Sequence, residues 1–191
     1  MTFLTQLASM FEKALGFLRG VICIKSTCRI EEINIPKRSF TIYFQGTRTT
    51  INLTLEEVIA RSHIIQGLPP KEACILGICY GRLLKQKIIK SAENIEFLLK
   101  NERGKYKIIY QDHRSEKLCY VDQKTKKEFQ EHPIILAKAN PIIADFDSSQ
   151  ACYIGILAGI SFEKNFNHDK KTGENNLEKM LGKHPQLRIV K

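Results

Sequence analysis

Apolar residues first recur at helical spacing in residues 2–19, where polar side chains fall on the opposite side. Thr2 can serve as an N-cap, so the pattern predicts an amphipathic helix. Its apolar face is formed by Phe3, Leu4, Leu7, Phe11, Leu15 and Leu18. Such a face can cover the protein's own core, dock on a partner protein or lie on a membrane surface.

Two runs rich in β-branched and aromatic residues follow at 40–44 and 49–53, and they predict a β-hairpin. Thr54 and Glu57 have the spacing of a capping box, so a helix is expected from there to about residue 66. Pro69 and Pro70 end that helix and open the next, because proline is tolerated in a first helical turn. The apolar pattern of this second helix continues toward residue 90.

The second half of the chain repeats this plan. Runs at 106–110 and 118–121 predict another hairpin, followed by a helical turn near 125–132. Asp147 and Gln150 have capping-box spacing in front of a long apolar helix. Further helices are expected at 91–100 and 177–181, a polar loop at 166–176 and a strand at 187–190.

The plan recurs because one segment occurs twice. Residues 58–81 align with residues 135–159 when one gap is opened opposite Pro141, and eight of the 24 paired positions are then identical. Residues 42–45 align with 108–111 further upstream. We therefore predict an α+β fold of two diverged tandem copies of a hairpin-plus-helices unit, packed pseudo-symmetrically after the N-terminal helix. The boundaries are 1–28 for the helix and connector, 29–100 for the first unit and 101–191 for the second.

Small residues recur at every fourth position of both long predicted helices. They are Ala73, Gly77, Gly81, Ala151, Gly155 and Gly159. Residues four apart share one face of a helix, and each interior glycine costs about 1 kcal/mol relative to alanine. The pattern predicts that the two helices approach closely along these faces. Two alternatives remain: Gly81 and Gly159 end their helices, or the faces receive a partner chain.

Charge is concentrated in the middle of the chain. The 191 residues carry a formal net charge of +10, and residues 82–127 hold 13 Lys or Arg against six Asp or Glu. This excess favours an anionic partner such as a nucleic acid, a membrane surface or an acidic protein; the alternative is a solvated surface that aids solubility. The candidate binding residues are Arg82, Lys85, Lys105, Lys107, Arg114, Lys117, Lys124, Lys126 and Lys127.

The compartment is predicted from the N-terminus and the cysteines. No basic stretch precedes the first apolar segment, and Glu12 and Lys13 interrupt it, which argues against a secretory signal. No run of 18 apolar residues is present, so no transmembrane segment is expected. The six cysteines are then expected to be free, and Cys74 and Cys152 fall at matching places inside apolar helices. These observations favour a cytoplasmic protein.

Catalytic chemistry has little support in the sequence. Ala144-Asp145-Phe146-Asp147 resembles the A-D-Y-D element of bacterial adenylyl cyclase toxins, whose aspartates bind metal ions for nucleotide cyclisation. The resemblance covers four residues, and Asp147 is more simply explained as a helix N-cap. None of the five histidines forms a metal-ligand or catalytic motif, and no phosphate-binding glycine loop is present. We expect no cofactor and no metal, and an enzyme is the least favoured class.

We therefore expect a non-catalytic adaptor or accessory subunit that binds a larger protein assembly through the N-terminal helix or the basic middle region. The alternative is a nucleic-acid-binding protein that uses the basic second hairpin, where lysines and Arg114 accompany Tyr106, Tyr110 and Tyr120. A metal-dependent enzyme that uses Asp145 and Asp147 is the weakest hypothesis. The sequence leaves the oligomeric state open.

Overall fold

A computed structural model of the chain describes residues 28–34, 36–89, 95–100, 103–112, 114–166 and 188–190. The predicted helix at 2–19, most of the polar loop at 166–176 and the predicted helix at 177–181 lie outside the described residues. The described part is an α+β structure with two β-sheets and several helices. None of the helices in the described ranges combines the length and the hydropathy that a membrane-spanning helix requires.

The first unit begins with three antiparallel strands, which are β1 (Cys28–Asn34), β2 (Ser39–Phe44) and β3 (Thr49–Thr54). The strand β7 (Arg188–Val190) adds to the other edge of β1 in parallel orientation, so this sheet has four strands in the order β3-β2-β1-β7. Three helices follow β3, namely α1 (Leu55–Ala60), α2 (Ser62–Gly67) and α3 (Pro70–Lys85).

The second unit has the same element order. Its sheet contains β4 (Tyr106–Asp112), β5 (Lys117–Asp122) and β6 (Glu128–Glu131), all antiparallel. The helices α4 (Pro133–Lys138), α5 (Asn140–Ala144) and α6 (Ser148–Phe166) follow. A 3₁₀ helix at Ile95–Leu99 lies between the units.

Five of the six corresponding elements of the two units start 78 residues apart, and the third strands start 79 residues apart. The strand β1 starts at residue 28 and β4 at 106, while α3 starts at residue 70 and α6 at 148. Local irregularities recur at the same spacing: Arg38 and Glu116 both have positive φ angles, of 51° and 55°, and each first strand carries a bulge. At this spacing no gap opposite Pro141 is needed, and residues 42–45 correspond to 120–123 rather than to 108–111.

Several local predictions differ from the structure. The strand β1 was not predicted, and residues 128–131 form β6 where a helical turn was expected. The Thr54–Glu57 capping box is present and opens α1, but a non-helical residue, Arg61, separates α1 from α2. The helix that Pro70 opens ends at Lys85 instead of continuing toward residue 90. Residue propensities did not predict these strands and helix ends, because pairing within the sheets and local backbone geometry determine them.

The helices α3 and α6 form the centre of the fold. Every residue of α3 from Glu72 to Ile78 is buried, and the buried part of α6 includes Ala151, Cys152 and Ile154. A helix that is apolar on nearly all sides is typical of a protein interior. The two helices and the inner faces of both sheets contribute to one continuous hydrophobic core.

The backbones of α3 and α6 touch at four glycines. A Cβ atom added to Gly77 would overlap the carbonyl oxygen of Cys152, and one added to Gly155 would overlap that of Cys74. Gly81 and Gly159 lie in the same way against the carbonyl oxygens of Ile156 and Ile78. These contacts are reciprocal at the 78-residue spacing. No side chain larger than hydrogen fits at any of the four positions without moving the neighbouring backbone.

The helices α3 and α6 are parallel. Gly77 faces Cys152 and Gly81 faces Ile156, so later residues of α3 meet later residues of α6. At the beginning of the pair, the Ser148 hydroxyl donates a hydrogen bond to the Leu68 carbonyl. The N-termini of both long helices therefore lie at the same end of the fold.

We predict that Gly77→Ala and Gly155→Ala each lower the free energy of unfolding by about 2 kcal/mol or more, because the added methyl group overpacks a backbone contact. The loss is expected although alanine is intrinsically the better helix former. Denaturant unfolding monitored by circular dichroism measures it.

The matched control is Gly46→Ala, since nothing lies within 4 Å of a Cβ atom at that turn position. Its unfolding free energy should change by less than about 0.5 kcal/mol. The double variant at residues 77 and 155 should lose less than the summed single losses, since both methyl groups separate the same two helices. An unchanged stability of either single variant would contradict the tight contact.

Candidate interaction surfaces

One polar side chain anchors each sheet to its long helix. The Ile30 amide donates a hydrogen bond of 2.6 Å to Glu72 Oε2, and the Ile108 amide donates one of 3.0 Å to Gln150 Oε1. Glu72 and Gln150 are the third residues of α3 and α6, and both are buried. Each hydrogen bond satisfies a strand amide next to a bulge, where the ladder of the sheet cannot. Sequence reasoning missed this role, although the matching positions of a Glu and a Gln in an apolar helix pointed to it.

Asp147 is the cap of α6. Its Oδ1 atom accepts hydrogen bonds from the amides of Ser149 and Gln150, at 2.8 and 3.0 Å. The predicted capping box is incomplete because the Gln150 side chain turns to Ile108. Burial raises the pKa of Asp147, while the two amides and Arg103 act in the opposite direction.

The other aspartate of the sequence motif, Asp145, forms an ion pair with a lysine. Lys105 Nζ lies 3.3 Å from Asp145 Oδ2, and both side chains are partly exposed. Hydrogen bonds to Tyr106 and Asp145 raise the pKa of Lys105. Within the ranges that the structure describes, no group of three or more His, Cys, Asp or Glu side chains could hold a metal ion. Asp145 forms an ion pair with Lys105, and Asp147 caps α6.

A cavity of about 370 Å³ opens at the N-terminal end of α6. Its lining includes Gln66, Pro70, Arg103, Gly104, Asp147 and Ser148. Gly104 is packed against the backbone of residues 145–147, where a Cβ atom would clash. Cationic and anionic groups are mixed in this lining, so the cavity does not select one sign of charge.

The nine candidate basic residues lie in three places. Arg82 and Lys85 are in the last turn of α3. Arg114 and Lys117 flank the turn between β4 and β5. The remaining five surround the turn between β5 and β6, at the opposite end of that sheet: Lys105, Lys107, Lys124, Lys126 and Lys127. The two ends of the sheet are about 20 Å apart at strand geometry.

The tyrosines of the second hairpin face different surroundings. The rings of Tyr106 and Tyr120 pack with Phe129 and Phe146 in a cluster whose centroids lie 5.3–6.0 Å apart. Tyr110 is 52% exposed. Two of the three tyrosines are therefore used in packing, which leaves Tyr110 as the ring of this set that a base or another side chain could contact.

The cysteines of the described residues are free, and four of the five are buried. Burial raises the pKa of Cys74 to about 12 and that of Cys152 further. Burial, and then the nearby charge of Glu72, raises the pKa of Cys28 to about 11. A thiol with such a pKa remains protonated at neutral pH and is a poor nucleophile.

An exposed apolar pair lies on an outer strand of the second sheet. The bulge residue Ile109 is 47% exposed, and Tyr110 follows it. Both belong to β4, which is an end strand in the order β4-β5-β6. The predicted N-terminal docking residues lie outside the described residues. The pair at residues 109–110 is therefore a candidate protein-binding feature within the basic region, where Ile88 is a further exposed apolar residue among those described.

Comparisons with protein-family models, with curated proteins and with solved structures find no match to this chain.

We predict that Gln150→Ala and Glu72→Ala each destabilise the fold by about 1–3 kcal/mol, because a buried strand amide loses its acceptor. Glu72→Gln is the matched control, since it keeps an oxygen at the same place and copies the arrangement of the second unit. Its unfolding free energy should lie within about 1 kcal/mol of the wild type. Equal losses for Glu72→Gln and Glu72→Ala in urea unfolding would show that the amide contact is unimportant.

Proposed function

We propose that this chain is a non-catalytic adaptor or accessory subunit, which binds a larger protein assembly through its N-terminal helix or its basic middle region. The observation that carries the proposal is the exposed pair Ile109 and Tyr110 on an end strand of the sheet that also bears the basic turn. Exposed apolar side chains beside charged ones are common at protein-binding surfaces.

The structural roles of the buried polar groups support the same proposal. Glu72 and Gln150 bind strand amides, Asp147 caps a helix, and the thiols of Cys28, Cys74 and Cys152 have raised pKa values. Each of these groups has a role in the fold, whereas a catalytic site needs reactive groups that converge on a substrate.

We also propose that the two units are diverged copies of one ancestral module, related by a pseudo-twofold axis along α3 and α6. The spacing of 78 residues between five of the six element pairs, the matching bulges and the reciprocal glycine contacts support this origin. A duplicated module offers two related surfaces, and substitutions in one copy can adapt it to a partner while the other copy keeps its packing.

The second candidate function is nucleic-acid binding, which the five lysines around the β5–β6 turn favour. Lysines that gather at one end of a sheet can neutralise successive phosphates. The packing of Tyr106 and Tyr120 in the aromatic cluster weakens this candidate, because those rings are not free to stack on bases.

Affinity capture with the full-length chain in cells that produce it naturally tests the adaptor proposal. We expect a protein partner that is retained after nuclease treatment. If the N-terminal helix binds it, Leu7→Asp should reduce the recovered partner by about tenfold or more, because a buried leucine contributes about 1.5–3 kcal/mol.

Ser9→Asp introduces the same charge on the predicted polar face and should leave recovery unchanged. Recovery that survives Leu7→Asp but falls when Lys124 and Lys126 are replaced by Glu would assign binding to the basic region. Failure to recover any protein partner would contradict the adaptor role.

Binding to mixed single-stranded DNA and RNA at several salt concentrations tests the second candidate. A nucleic-acid-binding protein should show a steep salt dependence, and Lys124→Gln, Lys126→Gln and Lys127→Gln should together reduce the slope by about 3 at most. Lys37→Gln, in the turn between β1 and β2 of the first sheet, is the control and should leave the slope unchanged. Absence of retention at low salt would exclude this candidate.

A further inference from the structure

The strands β1 and β4 are the first strands of their units, and they differ in what lies beside the edge that faces away from the hairpin partner. In the first unit, Glu32, Ile33 and Asn34 of β1 pair in parallel with Arg188, Ile189 and Val190 of β7. At the 78-residue spacing the corresponding positions of β4 are Tyr110, Gln111 and Asp112. Among the described residues, β4 has β5 on one side and no strand on the other.

The edges of β1 and β4 share two local features, a bulge and a side-chain hydrogen-bond acceptor. In each strand a bulge follows Ile30 or Ile108, and a side chain from the third position of the long helix accepts the hydrogen bond of that isoleucine amide. In β1, the residues that pair with β7 start directly after the bulge. The bulge and the side-chain acceptor therefore mark the start of the edge that receives an added strand, and β4 carries both features.

The side chains at the start of the β4 edge are exposed and apolar. Ile109 is 47% exposed and Tyr110 is 52% exposed, whereas β1 has the carboxylates Glu31 and Glu32 at these two positions. Charged residues on a strand edge discourage pairing with another chain, and apolar residues favour it. The edge of the second unit is thus the one that suits a strand from outside the fold.

We propose that the β4 edge at Tyr110–Asp112 binds an extended segment of a partner protein, which adds to the sheet in parallel orientation as β7 adds to β1. The expected segment contains β-branched residues, which favour strands, and a basic residue opposite Tyr110, whose ring can receive a cation. The backbone supplies affinity through strand hydrogen bonds, and the exposed pair supplies selectivity. This edge would be the binding surface of the proposed adaptor. Only the identity of the partner depends on the proposed function.

The probe is a synthetic peptide with the sequence of residues 183–191 of this chain, because its segment 188–190 already pairs with the corresponding edge of β1. It is titrated into the isotope-labelled full-length protein, and amide shifts and amide hydrogen exchange are followed by nuclear magnetic resonance. We expect saturable shifts at Tyr110–Asp112 and slower exchange of the amides that face away from β5. A peptide with Ile189→Pro should bind at least about tenfold more weakly, because proline breaks a short ladder.

The protein variants are matched in exposure. Tyr110→Lys should weaken peptide binding about tenfold by placing a charge on the edge. Ile135→Lys changes an equally exposed residue, at 52%, on α4 and should alter the Kd by less than about twofold. Thermal unfolding of both variants checks that the fold is retained.

Four outcomes would overturn the proposal. They are lack of saturation at millimolar peptide, shifts confined to β1 as the peptide replaces β7, equal binding of the proline peptide, and protected edge amides in the protein without peptide. The last outcome would mean that a segment of the chain itself covers the edge. If a partner is captured from cells despite any of these outcomes, the adaptor role stands and the binding surface lies elsewhere. If the peptide binds but no partner is captured, the proposed binding edge stands and the adaptor role is contradicted.

Discussion

The contact between glycines and carbonyl oxygens of α3 and α6 is the constraint on which the rest of the structure depends. It brings two long helices together at backbone distance in the middle of one core. Glycine costs each helix about 1 kcal/mol per interior position relative to alanine, and dispersion contacts along the touching backbones offset this cost. The sheets attach to this pair through Glu72 and Gln150, so the helix contact also sets where the strand edges lie.

The common direction of the two helices creates an electrostatic problem that the end residues reduce. Parallel helix dipoles place two partly positive N-termini side by side and two partly negative C-termini side by side. The acidic residues Glu72 and Asp147 lie at the N-terminal end, and the basic residues Arg82 and Lys85 lie in the last turn of α3. Arg82 and Lys85 thereby gain a structural explanation that does not involve a nucleic acid.

The sequence predicted the class of fold better than its details. The runs of β-branched and aromatic residues, the Thr54 capping box and the Pro69-Pro70 helix start are local features, and the structure contains all three. The glycine spacing indicated where two helices could approach, but it could not give their common direction, which depends on the whole chain path. The strand β1 was missed because its pattern, Cys28-Arg-Ile-Glu-Glu-Ile-Asn34, is broken by a bulge that disturbs the alternation. The upstream alignment set β2 against β4, whereas the order of elements sets β1 against β4.

The glycine contacts restrict how this protein can evolve. When two side chains clash, a smaller side chain at the second site can restore the fit, and many cores drift by such paired exchanges. Here the obstacle to a larger residue at position 77 is a main-chain oxygen of residue 152, and every amino acid carries that oxygen. No substitution at residue 152 itself removes the obstacle, so position 77 lacks the simplest route to compensation. Each glycine of the helix contact is thus constrained by a neighbouring main-chain atom, while side chains on the surfaces of the two units are not constrained in this way.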